Sequence, residues 1–288
     1  MTTRVSTVEP ALLLDGLRFA ESPRWHEGRL WFSDIFANRV LAVDEAGVSQ
    51  TIVELTDGSR PSGLGFLPDG RLLIANLAHP TVLRLEHSGG LVVHADLSEL
   101  AIGGLNDMVV DGHGRAYVGT MGTHSKAETR PVDADGVIIL VDPDGSARVV
   151  ADRLDAPNGP ALLDDGATYV VAEFPAERLT AYDREPDGSL TRRRVWAELA
   201  PASADGIAAD ATGAIWTASP WTSDCRRVTP GGQVTDVISV GDKMPLACAL
   251  GGKDGRTLFI LSCIGGADAI ADRSCTSVIE TVRVSVPA

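Results

Sequence analysis

The chain has 288 residues, 44% of them hydrophobic and 22% charged, enough to bury the core of one large domain or two small ones. A formal net charge of −14 and a pI near 4.8 argue against a nucleic-acid partner, because phosphates require a basic face. No stretch reaches the roughly 18 consecutive apolar residues of a membrane span, so no membrane partner is expected either.

In chain order, the first feature is a short apolar run at 11–14, too brief for the core of a secretory signal. A unit then recurs: a turn with Gly, often Asp-Gly, followed by a short apolar strand and a polar residue. It reads EGRLWFSD, DGRLLIAN, HGRAYVGT, DGATYVVAE, TGAIWTAS and DGRTLFILS. The turn glycines are Gly28, Gly70, Gly114, Gly166, Gly213 and Gly255, spaced by 42, 44, 52, 47 and 42 residues. The strands alternate or are continuously apolar, and long helical patterns are missing.

Six units of this length, each worth about four strands, predict an all-β protein: a six-bladed β-propeller filling residues 1–288 as one domain. A β-sandwich would have no reason to repeat at this period. Ring closure is expected to pair a strand near 11–14 with the last strands, including SVIETVRVSV at 277–286, because a propeller must hide the seam between its ends. The third unit is longest because it contains MGTHSKAETRPVDADG, 121–136, which reads as a lid. His124 in that lid is a candidate substrate contact, and His79 lies in a comparable loop; a lone loop histidine is more often simply solvated. Four cysteines (Cys225, Cys248, Cys263, Cys275) fall in the last quarter without metal-finger spacing. Reduced thiols and a cytoplasmic location are the expectation, with no disulfide excluded.

Alignment of the units on their glycines locates a site. Eight residues before five of the glycines stand Ser62, Asn106, Asn158, Asp205 and Ala247, and seven before Gly28 stands Glu21. The first strand of a propeller blade lines the central channel, so these positions form a ring, and Glu21, Asn106, Asn158 and Asp205 bring side-chain oxygens to it. Asn-Gly and Asp-Gly commonly just make turns, but three such residues and a glutamate in one register are harder to dismiss. Two carboxylates meeting at a narrow axis repel and are costly to desolvate unless a cation lies between them. An all-oxygen donor set suits Ca²⁺ first, then Mg²⁺ or Mn²⁺, with Zn²⁺ tolerated.

A second ring follows at the strand ends: Asp34, Asn76, Thr120, Glu173, Ser219 and Ser262. Polar strand ends are ordinary, and only Glu173 and Asp34 stand out as candidates to touch substrate. The tryptophans mostly suit packing between blades, while Trp221, beyond the second ring, is placed to wall a pocket. No GxSxG, HExxH, P-loop or GxGxxG competes.

With these residues in place, the chain resembles the family of senescence marker protein, gluconolactonase and luciferin-regenerating enzyme, through FAESPRW, GGLNDMVVDGHGRAYVGTMG, DAPNGPALLDDG and ADGIAADATGAIW. The resemblance covers nearly the whole chain. It implies a six-bladed propeller with one catalytic divalent metal on its axis, held by Glu21, Asn158 and Asp205. Asn106 resembles a substrate-binding residue, and Asp205 the proposed general base. The family mostly hydrolyses lactones, often of sugar acids, and relatives include phosphotriester hydrolases. One departure stands out: animal members carry an arginine that meets the sugar lactone at the position of Gly104.

The expected function is therefore metal-dependent opening of a small-molecule lactone, of a sugar acid or a less polar one. The cation would polarise the carbonyl while Asp205, or a carboxylate such as Glu173, activates water. A non-catalytic, metal-stabilised propeller that binds a small molecule or protein is the alternative from another class, and phosphotriester hydrolysis a third.

Overall fold

All six turn glycines adopt positive φ, from +70° at Gly255 to +86° at Gly70, a region open to glycine without steric penalty. Each thereby closes a tight antiparallel hairpin, and six hairpins extend into six sheets. The computed structural model describes residues 3–5, 9–123 and 134–288.

The sheets follow one another along the chain: residues 20–54, 61–96, 105–120 with 136–154, 157–198 and 207–239 form blades 1 to 5, and 244–283 the sixth. The innermost strands are Ala20–His26, Pro61–Phe66, Leu105–Val110, Pro157–Leu163, Ile207–Ala209 and Met244–Gly251. This is the predicted six-bladed β-propeller. Its seam closes as expected: the strand Ala11–Leu17 completes blade 6 as its outermost strand, antiparallel to Thr276–Arg283, with Ala11 opposite Thr281. The pair Arg4–Val5 adds in parallel to the outer strand of blade 5.

Apolar wedges fill the gaps between blades. Leu73 and Ala75 of blade 2 pack with Met108 and Val118 of blade 3, and Phe32 of blade 1 packs with Phe259 of blade 6. Two tryptophans do as predicted: Trp25 stacks on Phe259 and Trp31 meets Phe66 edge-on, both between blades. No helix among the described residues is long and apolar enough to cross a membrane. The one α-helix described, Gly266–Ala271, projects from blade 6 over the end of the channel.

Near the axis, glycine serves a different purpose from the turns. A Cβ on Gly63 would lie 2.6 Å from Asn106 O, one on Gly159 2.6 Å from Ile207 N, and one on Gly206 2.5 Å from Ala247 Cβ. Neither Gly159 nor Gly206 has positive φ; Asn158-Gly159 lies inside the strand Pro157–Leu163, and Asp205-Gly206 leads directly into Ile207–Ala209. The glycine follows the ring residue because the next blade's backbone leaves no room for a side chain.

Candidate functional site

Five of the six inner strands are bulged at the positions that the alignment singles out. Pairing with the second strand shifts between Glu21 and Arg24, Pro61 and Leu64, Leu105 and Met108, Pro157 and Pro160, and Pro245 and Ala247. A bulge re-aims side chains. Here Glu21, Ser62, Asn106 and Asn158 line one cavity of about 440 Å³, joined by Asp205 from just before Ile207–Ala209. Blade 6 departs from the alignment: Leu246 reaches the cavity rather than Ala247, since the bulge moves the register by one.

The ring is stitched from blade to blade. Ser33 Oγ donates to Ser62 O (2.7 Å), Ser62 Oγ to Leu105 O (3.0 Å) and Asn106 Nδ2 to Pro157 O (3.0 Å). Backbone bonds continue it, from Gly159 N to Asp205 O (3.1 Å) and from Gly206 N to Leu246 O (2.7 Å). The oxygens thus sit on a scaffold whose members fix one another.

Charge at this ring is poorly compensated. Asp205 is 8% exposed, and its buried Oδ1 has no hydrogen-bond partner among the described residues. Burial raises its carboxyl well above the usual range, the charges of Glu21 and Asp107 raise it further, and a hydrogen bond from Asn158 only partly offsets them. Glu21 is pushed up to about 8, chiefly by burial, although its Oε2 accepts the Ser22 N–H at 2.9 Å. Beneath them, Arg24 of blade 1 reaches Asp107 of blade 3 at 2.7 Å and also donates to Met108 O. Burial raises Asp107 too, against the pull of Arg24. Arg24 and Asp107 were absent from the alignment's ring, yet each lies within three residues of a member, at the foot of the same bulge.

Among the described residues no three His, Cys, Asp or Glu side chains group in metal-holding geometry. Any cation site here therefore depends on amide oxygen. The donors do fit one: two carboxylates drawn together against their repulsion, one oxygen left unpartnered, and Asn158 beside it.

The second ring turns away from the cavity, and Glu173 does not line it. Fully buried, Glu173 accepts the Asp155 N–H (2.8 Å), the Thr180 hydroxyl (2.5 Å) and two guanidinium bonds from Arg178 at 2.9 Å, with Arg193 nearby. Burial raises its carboxyl, but the bonds from Arg178, Thr180 and Asp155 outweigh that and hold it below its ordinary value. Asp34 behaves alike, accepting Arg18 N and Phe19 N and pairing with Arg39. Asn76 accepts Arg60 N, and Ser219 accepts Ser203 N. These strand ends therefore anchor the backbone two or three residues ahead of Glu21, Ser62, Asn158 and Asp205.

The walls come from one residue further along. Ile35, Leu77, Met121, Phe174 and Pro220, each directly after a second-ring residue, all line the cavity. Trp221 lines it too, 51% exposed and 5.3 Å from the Phe174 ring. Strand alternation explains the pattern, since a residue that faces the loop backbone is followed by one that faces the axis. Counting one position past the polar strand ends would have found them. At Gly104 a Cβ would lie 2.7 Å from Leu77 O and 2.9 Å from Leu77 Cδ1, so Leu77 occupies the space a side chain would enter. His79 is exposed and outside the lining, and His124 lies outside the described residues.

A larger concavity, about 520 Å³, lies at the opposite ends of the hairpins, between 162–166 and 209–213. Two of its carboxylates are spoken for: Asp210 caps Thr212 N and Ala214 N and pairs with Arg227, while Asp164 accepts from Thr168; the third, Asp165, is exposed. The four cysteines are free and buried.

Comparison with known proteins agrees with this architecture. The chain is 29% identical over 275 residues to a 6-deoxy-6-sulfogluconolactonase of Pseudomonas putida, covering 93% of this chain and 91% of that one. It is 29% identical over 266 residues to the pentonolactonase XacC of Haloferax volcanii, covering 88% and 84%. The crystal structure of a calcium-binding protein, regucalcin, from Agrobacterium tumefaciens has the same fold, with a TM-score of 0.78, 22% identity and 99% coverage of both chains. Residues 19–264 match the region described as SMP-30/Gluconolactonase/LRE-like, which spans all six inner strands. The chain belongs to that family.

Proposed function

We propose that this protein hydrolyses lactones, with a divalent cation, Ca²⁺ foremost, held by Glu21, Asn158 and Asp205. The observation that carries the reading is the buried carboxylate of Asp205, with one oxygen unpartnered among the described residues, beside the half-buried Glu21 at the polar floor of an otherwise apolar cavity. Two curated relatives are lactonases by name, and the structural neighbour is called calcium-binding, which supports both halves of the reading.

A cation bound there supplies polarisation of the lactone carbonyl and offsets the charge that develops on its oxygen. The remaining work falls to the chain. Asn106, its amide fixed by the bond to Pro157 O, orients the lactone over the floor. Asp205, whose Oδ1 has no hydrogen-bond partner among the described residues, takes a proton from the attacking water. As the water oxygen bonds to the acyl carbon, the ring C–O bond breaks, and Asp205 returns the proton to the departing alkoxide. The second-ring contacts hold the loops still during this exchange, and the apolar walls limit competing water.

The test is chelation followed by a lactone panel read through proton release, with Ca²⁺, Mn²⁺ and Zn²⁺ restored separately. Turnover should vanish on chelation and return with metal, and Asp205→Ala should abolish both turnover and metal uptake. Full metal occupancy in Asp205→Ala would refute the ligand assignment. Metal-induced thermal stabilisation without any turnover would point to a binding scaffold, and activity confined to phosphotriesters to the third chemistry.

A further inference from the structure

The cavity divides sharply by polarity. Its floor holds all six polar lining residues, whereas the other eleven are apolar, and no Lys, Arg or His occurs among the described lining residues. The walls are no accident of one loop. Five blades contribute the residue after the strand end, and every one is apolar: Ile35, Leu77, Met121, Phe174 and Pro220. Trp221 adds an indole at the rim, and Ile270 of the helix Gly266–Ala271 covers the side formed by blade 6. Gly104 offers no polar group, because Leu77 fills the space beside it.

We infer that the substrate is a lactone bearing an apolar, alkyl-type substituent, with its ester group on the carboxylate and amide floor and its chain against these walls. The inference rests on the lactonase reading and narrows it. A polyhydroxylated lactone would place ring hydroxyls against carbon, each unpaired hydroxyl costing roughly tenfold in affinity. A sulfonated one would find no cationic partner among the described lining residues. An alkyl chain instead gains from leaving water.

A series of δ-lactones with one common ring tests this on the full chain reconstituted with Ca²⁺ or Mn²⁺: δ-valerolactone, δ-hexalactone, δ-octalactone, δ-decalactone and glucono-δ-lactone. The expected kcat/KM rises about two- to fourfold per added methylene until the chain clears the rim, so that δ-decalactone exceeds glucono-δ-lactone by at least about tenfold. Trp221→Ala should flatten the series, reducing the ratio of δ-decalactone to δ-valerolactone several-fold. A flat series in the unaltered protein, or a preference for glucono-δ-lactone, overturns the inference and leaves the lactonase reading intact. Failure to open any member overturns both.

Discussion

Replacing Glu21 by Gln should move stability in opposite directions with and without metal. The substitution preserves size and removes one of two charges that the fold forces together. In the metal-free protein the Glu21 carboxyl titrates near 8 instead of its model-compound 4.5. A raised carboxyl is protonated in the folded chain at pH values where the unfolded chain has released its proton. Its cost is therefore absent below about 4.5 and grows as the pH climbs towards 8, by at most about 1.4 kcal/mol per pH unit. Because Asp205 shares the repulsion and water enters the cavity, about 2 kcal/mol at pH 8 is the expected net cost. Glu21→Gln removes it, raising the apo melting temperature at pH 8 by about 3 °C for a chain of this size, and by little at pH 5. With a divalent cation at a hundred times its Kd, the wild type gains about 2.7 kcal/mol that the variant forgoes, so the order reverses. Calorimetry at both pH values, with chelator and with Ca²⁺, provides the four measurements. An apo variant that is less stable than wild type at pH 8, or equal responses to Ca²⁺, would refute the claim that repulsion at the axis is what a cation relieves.

Glu173→Gln should destabilise the protein by about 1–3 kcal/mol in urea unfolding, since an amide offers one acceptor oxygen where Thr180 and Asp155 donate to two, leaving one buried donor unpaired while Arg178 can turn to solvent. The carboxyl is held below its ordinary value, so its contribution is complete above pH 4.5 and fades as the pH falls further; a loss that is the same at pH 3 and pH 7 would contradict the assignment. Gly206→Ala should cost about 1–3 kcal/mol, because the new methyl would fall 2.5 Å from Ala247 Cβ. Gly112→Ala, where a Cβ meets nothing within 4 Å, is the control and should leave the urea midpoint nearly unchanged.

The propeller was legible because a blade is a local object. Its first hairpin has a fixed length, so a turn glycine such as Gly70 or Gly213 marks the register of the whole sheet, and a six-fold recurrence leaves few other folds. The seam was legible for a related reason: a ring must close on itself, and an apolar run ahead of the first unit, now the strand Ala11–Leu17, was available to join the last blade. The register slipped only at blade 6, whose bulge between Pro245 and Ala247 lies farther from the turn glycine than those of blades 2 to 4. At blade 6 the offset that holds elsewhere names Ala247, while the bulge presents Leu246. A one-residue count cannot see a bulge, because a bulge is decided by the twist and crowding of neighbouring strands.

The two rings of polar residues look alike in sequence and do opposite things, and the reason is strand alternation acting on both sides of one hairpin. The first ring turns its oxygens inward, from bulged strands at Glu21, Ser62, Asn106 and Asn158 and from just before Ile207–Ala209 at Asp205, whose Oδ1 has no described partner. The second ring sits at the ends of the neighbouring strands, and the oxygens of Asp34, Asn76, Glu173 and Ser219 are spent on the backbone N–H groups of Phe19, Arg60, Asp155 and Ser203, while Ser262 Oγ, which also lacks a described partner, lies outside the cavity lining. Glu173 is the instructive member. A glutamate at a pocket's edge reads as catalytic, but two arginines and a threonine had already claimed its lone pairs, and those partners lie in other strands that pattern alone does not bring near. Charge type locates a candidate, while the absence of a partner is what leaves an oxygen available for chemistry. The apolar residue directly after each strand end then gains its meaning: an anchored polar group forces its neighbour toward the axis. The wall of Ile35, Leu77, Met121, Phe174 and Pro220 is thus set by the same bonds that hold the backbone ahead of the first ring, so a change of anchor should disturb the wall and the ring together.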